Sequence, residues 1–556
     1  MEIIKIENLT FKYPLKDKKA LNNINLSVNS GDFIVICGKS GCGKSTLLKH
    51  LKPTLTPHGE VLGNIYYEGQ DIIEIDSRVQ ASELGFVHQS PENQIVTDKV
   101  WHELAFGLEN LGYDNEIIRL RVAEMASYFG IEKWFFKEVS ELSGGEKQIL
   151  NLASIMAMSP KVLILDEPTS QLDPILAAEF LDTIKKINMD LGITVILSEH
   201  RLDTIFPMAD RVVVMEHGNI IIDATPKKVG EFLRDNKNDM FLAVPSPMRI
   251  YTKINNNLEC PITVRDGRRW LDKLLSNSEI VITENEEIKE EPLGDQVIEL
   301  KEVWFKYEKN GSYILKDLSL KVHKGELYSI VGGNGTGKTT TLNLISGINK
   351  AYRGKVFIHG KEIGKYLSKE LFNNNLGVLP QNPQSIFTMK TVREDLMEML
   401  FDIDIKEDEK KQRVSKIVET LDIEDILDMH PYDLSGGEQQ KAALAKILLL
   451  EPKILLLDEP TKALDSFYKE KLGVFLKKLK RDGITIIMVT HDIEFAAQVS
   501  DTCGMFFDGS IITSGSPKKF FSNNNFYTTS ANKMSRDIFK AAITCEDVIK
   551  LCKKNL

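Results

Sequence analysis

Cysteine is scarce in this sequence and follows no regular spacing. The 556 residues include six cysteines, and no CxxC pair occurs among them. The pattern therefore indicates no disulfide framework, and it is typical of reduced thiols in a cytosolic protein.

Long apolar runs and an excess of positive charge are also missing. The longest apolar runs, in KVLILDEP and KILLLDEP, are far shorter than the roughly 18–20 residues that cross a bilayer. The beginning, MEIIKIENLTFKYP, has no basic region followed by an apolar stretch, so we expect no secretory signal. The net charge of −10, without a long Lys/Arg run, argues against a nucleic-acid-binding surface. We expect an acidic, multidomain protein that is soluble when expressed alone.

The chain repeats itself at a nearly constant interval. Lys338 lies 294 positions after Lys44 in a repeated glycine-rich segment, and Ser435 lies 292 after Ser143 in a repeated LSGGE. The repeated LDEPT segments and the histidines that follow them keep the same spacing within a few residues. This agreement predicts two duplicated domains.

The expected organisation has five parts. The segment SNSEIVITENEEIKEEPLGDQ carries seven acidic residues and one lysine, which predicts a solvated linker between the domains. TVRDGRRWLDKLL and the end of the chain have helical patterns. The predicted bounds are 1–235 for the first domain, 236–277 for an accessory helical segment, 278–296 for the acidic linker, 297–525 for the second domain and 526–556 for a helical extension.

Two glycine-rich segments satisfy the pattern G-x-x-x-x-G-K-[ST], each after a strand pattern and before a helical one. Such a loop turns backbone N–H groups toward phosphate at a helix N-terminus. Lys44 and Lys338 would neutralise the β- and γ-phosphates, while Ser45 and Thr339 would bind Mg²⁺. The predicted nucleotide-binding residues here are Gly38, Lys39, Ser40, Gly41, Cys42, Gly43, Lys44, Ser45 and Thr46, and Gly332, Gly333, Asn334, Gly335, Thr336, Gly337, Lys338, Thr339 and Thr340.

Two acidic residues end each of the apolar runs VLILDE and ILLLDE, which are typical of parallel strands buried on both faces. Open α/β sheets bind their ligands at the carboxyl ends of such strands. We therefore expect Asp166 and Asp458 to hold Mg²⁺. Glu167 and Glu459 are expected to act as general bases on the attacking water.

Histidine and tyrosine recur at matching positions in the two halves. The next apolar strands, GITVILSEH and GITIIMVTH, end at His200 and His491, which we expect to sense the γ-phosphate. Tyr13 and Tyr307 each precede the phosphate-loop lysine by 31 positions, and we expect their rings to stack on adenine.

The repeated LSGGE makes the pattern specific. With the phosphate loops, LDEP and the terminal histidines in this order, the chain resembles the ATP-binding-cassette ATPases over nearly its whole length. The resemblance implies two P-loop α/β domains, each a mixed-sheet core with an inserted helical subdomain. It also implies head-to-tail pairing of the two cassettes within one chain, with each ATP between a phosphate loop and the opposite LSGGE. The residues that would contact ATP from that side are Ser143, Gly144 and Gly145, and Ser435, Gly436 and Gly437.

A glutamine lies 54 positions before each LSGGE serine, at Gln89 and Gln381. In the family this glutamine senses Mg²⁺–ATP, so both are expected at the metal and in catalysis. Both halves keep every hydrolytic residue, which predicts two competent sites. The departures from the family pattern are Gln171 and Lys462, after DEPT, and they predict that the two sites turn over at different rates.

The turn PENQ followed by VWHELAFGLEN resembles the energy-coupling-factor branch, whose ATPases drive uptake of vitamins or transition-metal ions. This implies a Mg²⁺-dependent ATPase at the cytoplasmic face of the membrane, bound to integral-membrane coupling and substrate-binding subunits and not to nucleic acid. The alternatives are the tandem ATPase of a sugar importer and a non-transport protein acting on ribosomes or nucleic acid. A sugar-importer ATPase often has one degenerate ATP site. A protein acting on ribosomes or nucleic acid typically has a basic or long helical linker.

Apolar residues after the two glutamines are candidates for docking a helix of a membrane subunit. Some must instead belong to the core, and Trp101 is the expected core residue. The candidates are Ile95, Val96, Trp101 and Phe106 in the first half, and Ile386, Phe387 and Val392 in the second.

Overall fold

The chain forms two compact units, Met1–Arg249 and Ile250–Leu556. The computed structural model describes residues 1–14, 17–170, 172–199, 202–276, 294–401, 403, 405–462 and 464–556. Gln171, His200 and all but the last three residues of the predicted acidic linker 278–296 lie outside the described residues.

The first unit is built on two sheets. One is a four-stranded antiparallel sheet and the other a six-stranded sheet whose five neighbouring strands β9, β3, β8, β7 and β6 are parallel. The strands are β1 Glu2–Lys12, β2 Leu21–Asn29, β3 Phe33–Gly38, β4 Glu60–Tyr67, β5 Gln70–Asp71, β6 Leu84–Val87, β7 Val162–Asp166, β8 Thr194–Ser198, β9 Arg211–Glu216 and β10 Asn219–Ala224. Strands β3, β7 and β8 are buried along their whole length, as their continuous apolar sequences predict.

Some helices of the first unit cover its sheets, and others form a separate helical subdomain. They are α1 Lys44–His50, α2 Ser77–Glu83, α3 Val100–Asn110, α4 Asn115–Tyr128, α5 Gly144–Ala157, α6 Pro174–Leu191, α7 Leu202–Ile205 and α8 Pro226–Asp235, with 3₁₀ turns at Pro53–Leu55, Pro91–Asn93, Ile131–Trp134, Val139–Glu141, Phe206–Met208 and Asp239–Ala243. Helices α3, α4 and α5 pack around their own apolar cluster, which includes Val100, Leu104, Leu108 and Leu150. This is the helical insertion, and it lies in sequence between β6 and β7.

The second unit repeats this plan. Its sheets have the orders β12-β11-β14-β15 and β16-β17-β18-β13-β19-β20. The strands are β11 Gln296–Phe305, β12 Leu315–His323, β13 Leu327–Val331, β14 Arg353–Ile358, β15 Lys361–Glu362, β16 Leu376–Leu379, β17 Ile454–Asp458, β18 Thr485–Thr490, β19 Thr502–Phe507 and β20 Ser510–Gly515. The prediction of two α/β domains with mixed sheets and inserted helices is confirmed.

The remaining helices include two groups outside the repeated plan, in the segment before β11 and at the end of the chain. Helix α9 spans Ser246–Thr252, and the helices of the second unit are α10 Val264–Leu275, α11 Lys338–Ile345, α12 Ser368–Phe372, α13 Val392–Glu398, α14 Glu407–Leu421, α15 Gly436–Leu448, α16 Ser466–Arg481, α17 Ile493–Val499, α18 Pro517–Asn523, α19 Ser530–Ser535 and α20 Cys545–Asn555, with 3₁₀ turns at Ile363–Lys365, Pro383–Ile386, Glu424–Ile426 and Pro431–Asp433.

Helices α10, α19 and α20 share one apolar cluster in the second unit. Trp270 on α10 is 3% exposed and lies in this cluster with Met534 and Val548. The Trp270 indole N–H donates to Asn256 Oδ1 at 3.2 Å, which satisfies its only polar atom. Residues 250–275 therefore fold with the C-terminal extension, and the division between the units falls inside the predicted accessory segment 236–277.

Within the part of the chain that the structure describes, no helix has both the length and the apolar character needed to cross a membrane.

Replacing Trp270 by Ala should loosen this cluster, because a large buried side chain contributes about 3–5 kcal/mol through packing. We expect faster amide hydrogen exchange in Val264–Leu275 and Cys545–Asn555 of the full chain. Arg265→Ala is the matched control, since the Arg265 side chain lies on the same helix and is 77% exposed. Unchanged exchange in Trp270→Ala would contradict a stabilising role for this packing.

Candidate functional site

Each phosphate loop connects a buried central strand to a helix, as the sequence predicts. Gly43 and Gly337 cap the helices with left-handed φ angles of 105° and 113°. A Cβ at Gly43 would lie 2.5 Å from the carbonyl oxygen of Ala20, and one at Gly337 would lie 2.8 Å from Leu315. Only glycine fits these positions, so the loops keep the tight turn that aims backbone N–H groups at an anion.

Lys44 and Lys338 follow the glycine turns of the two phosphate loops, and both side chains are buried there. Lys44 Nζ donates to the carbonyl oxygens of Gly38 at 3.0 Å and Lys39 at 3.3 Å. Lys338 Nζ donates to Gly332 at 3.0 Å and Gly333 at 2.7 Å. Each ammonium is thus held at the centre of its loop, where it can neutralise bound phosphates.

A hydroxyl and a carboxylate meet beside each phosphate loop. In the first unit, Asp166 Oδ1 accepts from Ser45 Oγ at 2.9 Å and from Ser198 Oγ at 2.8 Å. In the second, the Thr339 hydroxyl hydrogen-bonds the Asp458 carboxylate. The other oxygen, Asp458 Oδ1, is buried and has no hydrogen-bond partner among the described residues.

This donor set fits Mg²⁺. Burial raises the pKa of Asp166, and it raises the pKa of Asp458 to about 6, with the Glu459 charge also raising it. A cation bound at these oxygens would offset the cost of burying the charge. Among the described residues no group of three or more His, Cys, Asp or Glu could hold a metal. One carboxylate and one hydroxyl suffice for Mg²⁺, which takes its other ligands from phosphate and water.

The predicted general bases each contact a side chain that the sequence analysis assigns to nucleotide sensing. Glu167 Oε2 accepts from Gln89 Nε2 at 2.9 Å, and Glu167 Oε1 lies 3.8 Å from Lys44 Nζ. Glu459 Oε2 lies 2.8 Å from His491 Nδ1. The structure therefore brings Glu167 to Gln89, the predicted sensor glutamine, and Glu459 to His491, the predicted sensor histidine.

Both glutamates also have strained backbones. Their φ angles are 44° for Glu167 and 52° for Glu459, in the left-handed region that costs a non-glycine residue about 1–3 kcal/mol. Hydrogen bonds hold them there. The Glu167 N–H donates to Ser198 Oγ at 3.0 Å, and the Glu459 N–H donates to the Val489 carbonyl at 2.9 Å. These hydrogen bonds keep each glutamate at the carboxyl end of its strand.

The remaining predicted residues are Gln381, His200 and the two tyrosines. Gln381 is exposed just after β16, and the role of His200 stays a prediction because that residue is outside the described range. Tyr13 and Tyr307 hydrogen-bond Thr46 and Thr340, each at 3.0 Å. These bonds hold both tyrosines beside the helices that follow the phosphate loops. Adenine stacking by the two rings stays a prediction.

The LSGGE serines are N-caps of long helices. Ser143 Oγ donates to Glu146 Oε2 at 2.7 Å while the Glu146 N–H donates back to Ser143 Oγ, and Ser435 forms the same capping box with Glu438. Both serines are exposed and begin helices α5 and α15, whose N-terminal N–H groups favour anions. Binding of ATP by these two helix ends stays a prediction.

Two functional positions were missed by sequence reasoning. Ser198 holds both Asp166 and the backbone of Glu167, and its only sequence signal is its place at the end of a buried strand. Gln94 fixes the turn after β6, since its amide accepts from the His88 N–H and donates to the Phe86 carbonyl, both at 2.9 Å.

The docking candidates were assigned incorrectly in part. Trp101 is 39% exposed and stacks on His102, so it is not the core residue that was expected. Phe387 and Val392 are 7% and 0% exposed and belong to the core of the second unit. Val96, at 67% exposure, is available on the surface.

The chain is similar to several known proteins. The family described as ABC transporter matches residues 21–170 and 315–462. A relative from Bacillus anthracis, provisionally named an ABC transporter ATP-binding protein, is 43% identical over 99% of this chain and 98% of its own length. A similarly named relative from Clostridium tetani is 38% identical over 78% of this chain and 95% of its own. Among solved structures, cbiO1 from Clostridium perfringens, described as part of the ABC transporter complex cbiONQ, is 31% identical with a TM-score of 0.38, covering 44% of this chain and 97% of that one.

Glu167→Gln and Glu459→Gln should each lower ATP turnover at the affected site by roughly 10²-fold or more, the scale of losing general-base assistance. Binding of ATP should survive in both, because the phosphate loops are unchanged. Steady-state phosphate release and nucleotide titration check this, with the exposed Glu92→Gln as a control. A double variant that turns over at the wild-type rate would refute the assignment.

Proposed function

This chain belongs to the ABC transporter family, and from that premise we propose that it hydrolyses ATP to drive an importer of the energy-coupling-factor type. It would power uptake of a vitamin or a transition-metal ion through separate integral-membrane subunits. The observation that carries the proposal is a groove on the first unit, beside a complete set of hydrolytic residues, that suits a helix of a membrane subunit.

Hydrolysis follows from the roles that the geometry supports. The phosphate loop and its lysine bind the triphosphate, and Glu167 or Glu459 accepts a proton from the attacking water. Mg²⁺, when bound at Ser45 and Asp166 or at Thr339 and Asp458, would neutralise charge on the phosphates. Gln89 donates to Glu167, so it is placed to report the nucleotide to the helical insertion, whose first helix begins at Val100.

The groove lies between the sheet core and the helical insertion. It has a volume of about 620 Å³ and is lined from the core by α2 and from the insertion by α3 and α5. Val96 and Phe106 give it apolar walls, while Glu103 and Lys52 give it charge. Such a groove, with apolar anchors and polar groups, is a known site for an amphipathic helix.

Corresponding positions in the second unit carry different charges. Glu103 follows Gln89 by the same interval as Asp395 follows Gln381, so these two acidic residues match. Ser154 and Lys446 also match, because they follow Ser143 and Ser435 by the same interval. Lys446 Nζ lies 2.7 Å from Asp395 Oδ1, and both side chains are at least 95% buried. The second unit thus pairs its acid with a lysine, whereas the Glu103 carboxylate accepts from the backbone N–H groups of Val96 at 3.1 Å and Thr97 at 2.8 Å. We infer that the two units bind different segments of the membrane subunits.

The groove predicts the effect of Val96→Arg, which places a long charged side chain at an exposed wall position. Loss of one apolar anchor typically costs about 2 kcal/mol or more, so affinity for the membrane subunits should fall by more than about tenfold. Leu120→Arg is the matched control, because Leu120 is 69% exposed on α4 and does not line the groove. The measurement is binding of the full chain to membranes of the producing organism stripped of peripheral proteins.

The same variants should be compared for ATP turnover and for uptake by cells. Val96→Arg should keep basal turnover within a few-fold of wild type while losing membrane binding and uptake. Ile95 and Ile386 are half-buried, so charged substitutions there would test folding as well as docking. Membrane binding and uptake at wild-type levels in Val96→Arg would exclude the groove as the docking site.

A further inference from the structure

The first phosphate loop carries a second lysine that is held by a residue outside the loop. Lys39 follows Gly38, and its ammonium lies 2.6 Å from Asp239 Oδ2. The backbone carbonyl of Lys39 accepts from Lys44 Nζ and from the Cys42 N–H, so this residue forms part of the wall that surrounds bound phosphate. The contact therefore joins the phosphate loop to residue 239.

Asp239 is held in place by the packing of its own segment. It opens the 3₁₀ turn Asp239–Ala243, which Asn238 caps by accepting from the Met240 N–H at 2.9 Å. Met240 and Ala243 are 7% and 8% exposed, so they anchor the turn in the first unit. Asp239 is thereby presented to Lys39 by a fixed element and not by a free end.

The second phosphate loop has no such cation. Gly333 occupies the position that matches Lys39, one residue after the first glycine of the loop. The pair is therefore a property of the first unit alone, and it distinguishes two loops whose lysines and hydroxyls are otherwise alike.

We propose that Lys39 is an additional phosphate-binding cation and that Asp239 competes with ATP for it. When Asp239 holds Lys39, the first phosphate loop has one positive charge less to offer the nucleotide. Asp239 then acts as a positioning residue that lowers the affinity of the first unit for ATP. The inference rests on ATP binding by the first unit and does not depend on which membrane subunits the protein serves.

The physical properties of the pair suit an exchange. The Lys39 and Asp239 side chains are 32% and 46% exposed, so water screens their attraction and the pair is weak. A triphosphate carries several charges against the single charge of a carboxylate. The lysine stem is flexible and its ammonium can turn between the two anions.

The test uses the full chain with Lys338→Ala in every variant, so that nucleotide binding reports the first unit. Affinity for a non-hydrolysable ATP analogue is measured by calorimetric titration. Asp239→Asn should tighten binding about two- to fivefold, the range expected for releasing an exposed ion pair. Lys39→Met should weaken binding, and Asp239→Asn should have no further effect in the Lys39→Met chain.

Two controls separate this exchange from a structural effect. Glu7→Gln breaks an ion pair of similar length and exposure, Lys5–Glu7 at 2.7 Å, and should leave affinity unchanged. Lys39→Arg keeps the charge, so Asp239→Asn should still tighten binding in the Lys39→Arg chain. Unchanged or weaker binding in Asp239→Asn would overturn the proposal. The proposal would also be overturned if Asp239→Asn tightened nucleotide binding equally with and without the Lys39→Met change. It would be overturned as well if the Lys338→Ala chain bound no nucleotide.

Discussion

Parallel pairing of the central strands is the constraint on which both sites depend. It brings the carboxyl ends of neighbouring strands to one edge of the sheet, so residues far apart in sequence meet there. Asp166 pairs in register with Ser198, and this places the serine hydroxyl on the carboxylate. The phosphate loop leaves the adjacent strand at the same edge. A shift of one residue would turn these side chains to the other face of the sheet.

Both units satisfy that constraint with the same chemical groups. Glu167 is engaged by Gln89, whereas Glu459 is engaged by His491, and Asp458 keeps one oxygen without a partner among the described residues. Duplication has therefore kept the phosphate-loop lysines and the strand-end acidic residues in both units.

The roles of residues at fixed spacings in the repeated motifs were predictable from the sequence. Contacts between residues far apart in the chain were not. The phosphate loops, the strand-end carboxylates and the buried strands follow from local patterns, because glycine conformations and apolar runs act over a few residues. The burial of Trp270 against Val548 and the contact of Asp239 with Lys39 join positions about 200 or more residues apart, which no periodicity encodes. Trp101 shows the same limit, since size and apolarity alone did not decide its exposure.

The packing of residues 250–275 on the C-terminal extension changes what the acidic segment connects. Helix α10, on one side of it, and strand β11, on the other, both belong to the second unit. The chain therefore passes from the first unit to the second near residue 249 and not in the acidic segment. A protease cut between residues 277 and 293 would produce two fragments, yet the apolar cluster around Trp270 would hold the first fragment to the second. The chain could be encoded by two genes split at that point and still assemble as one protein.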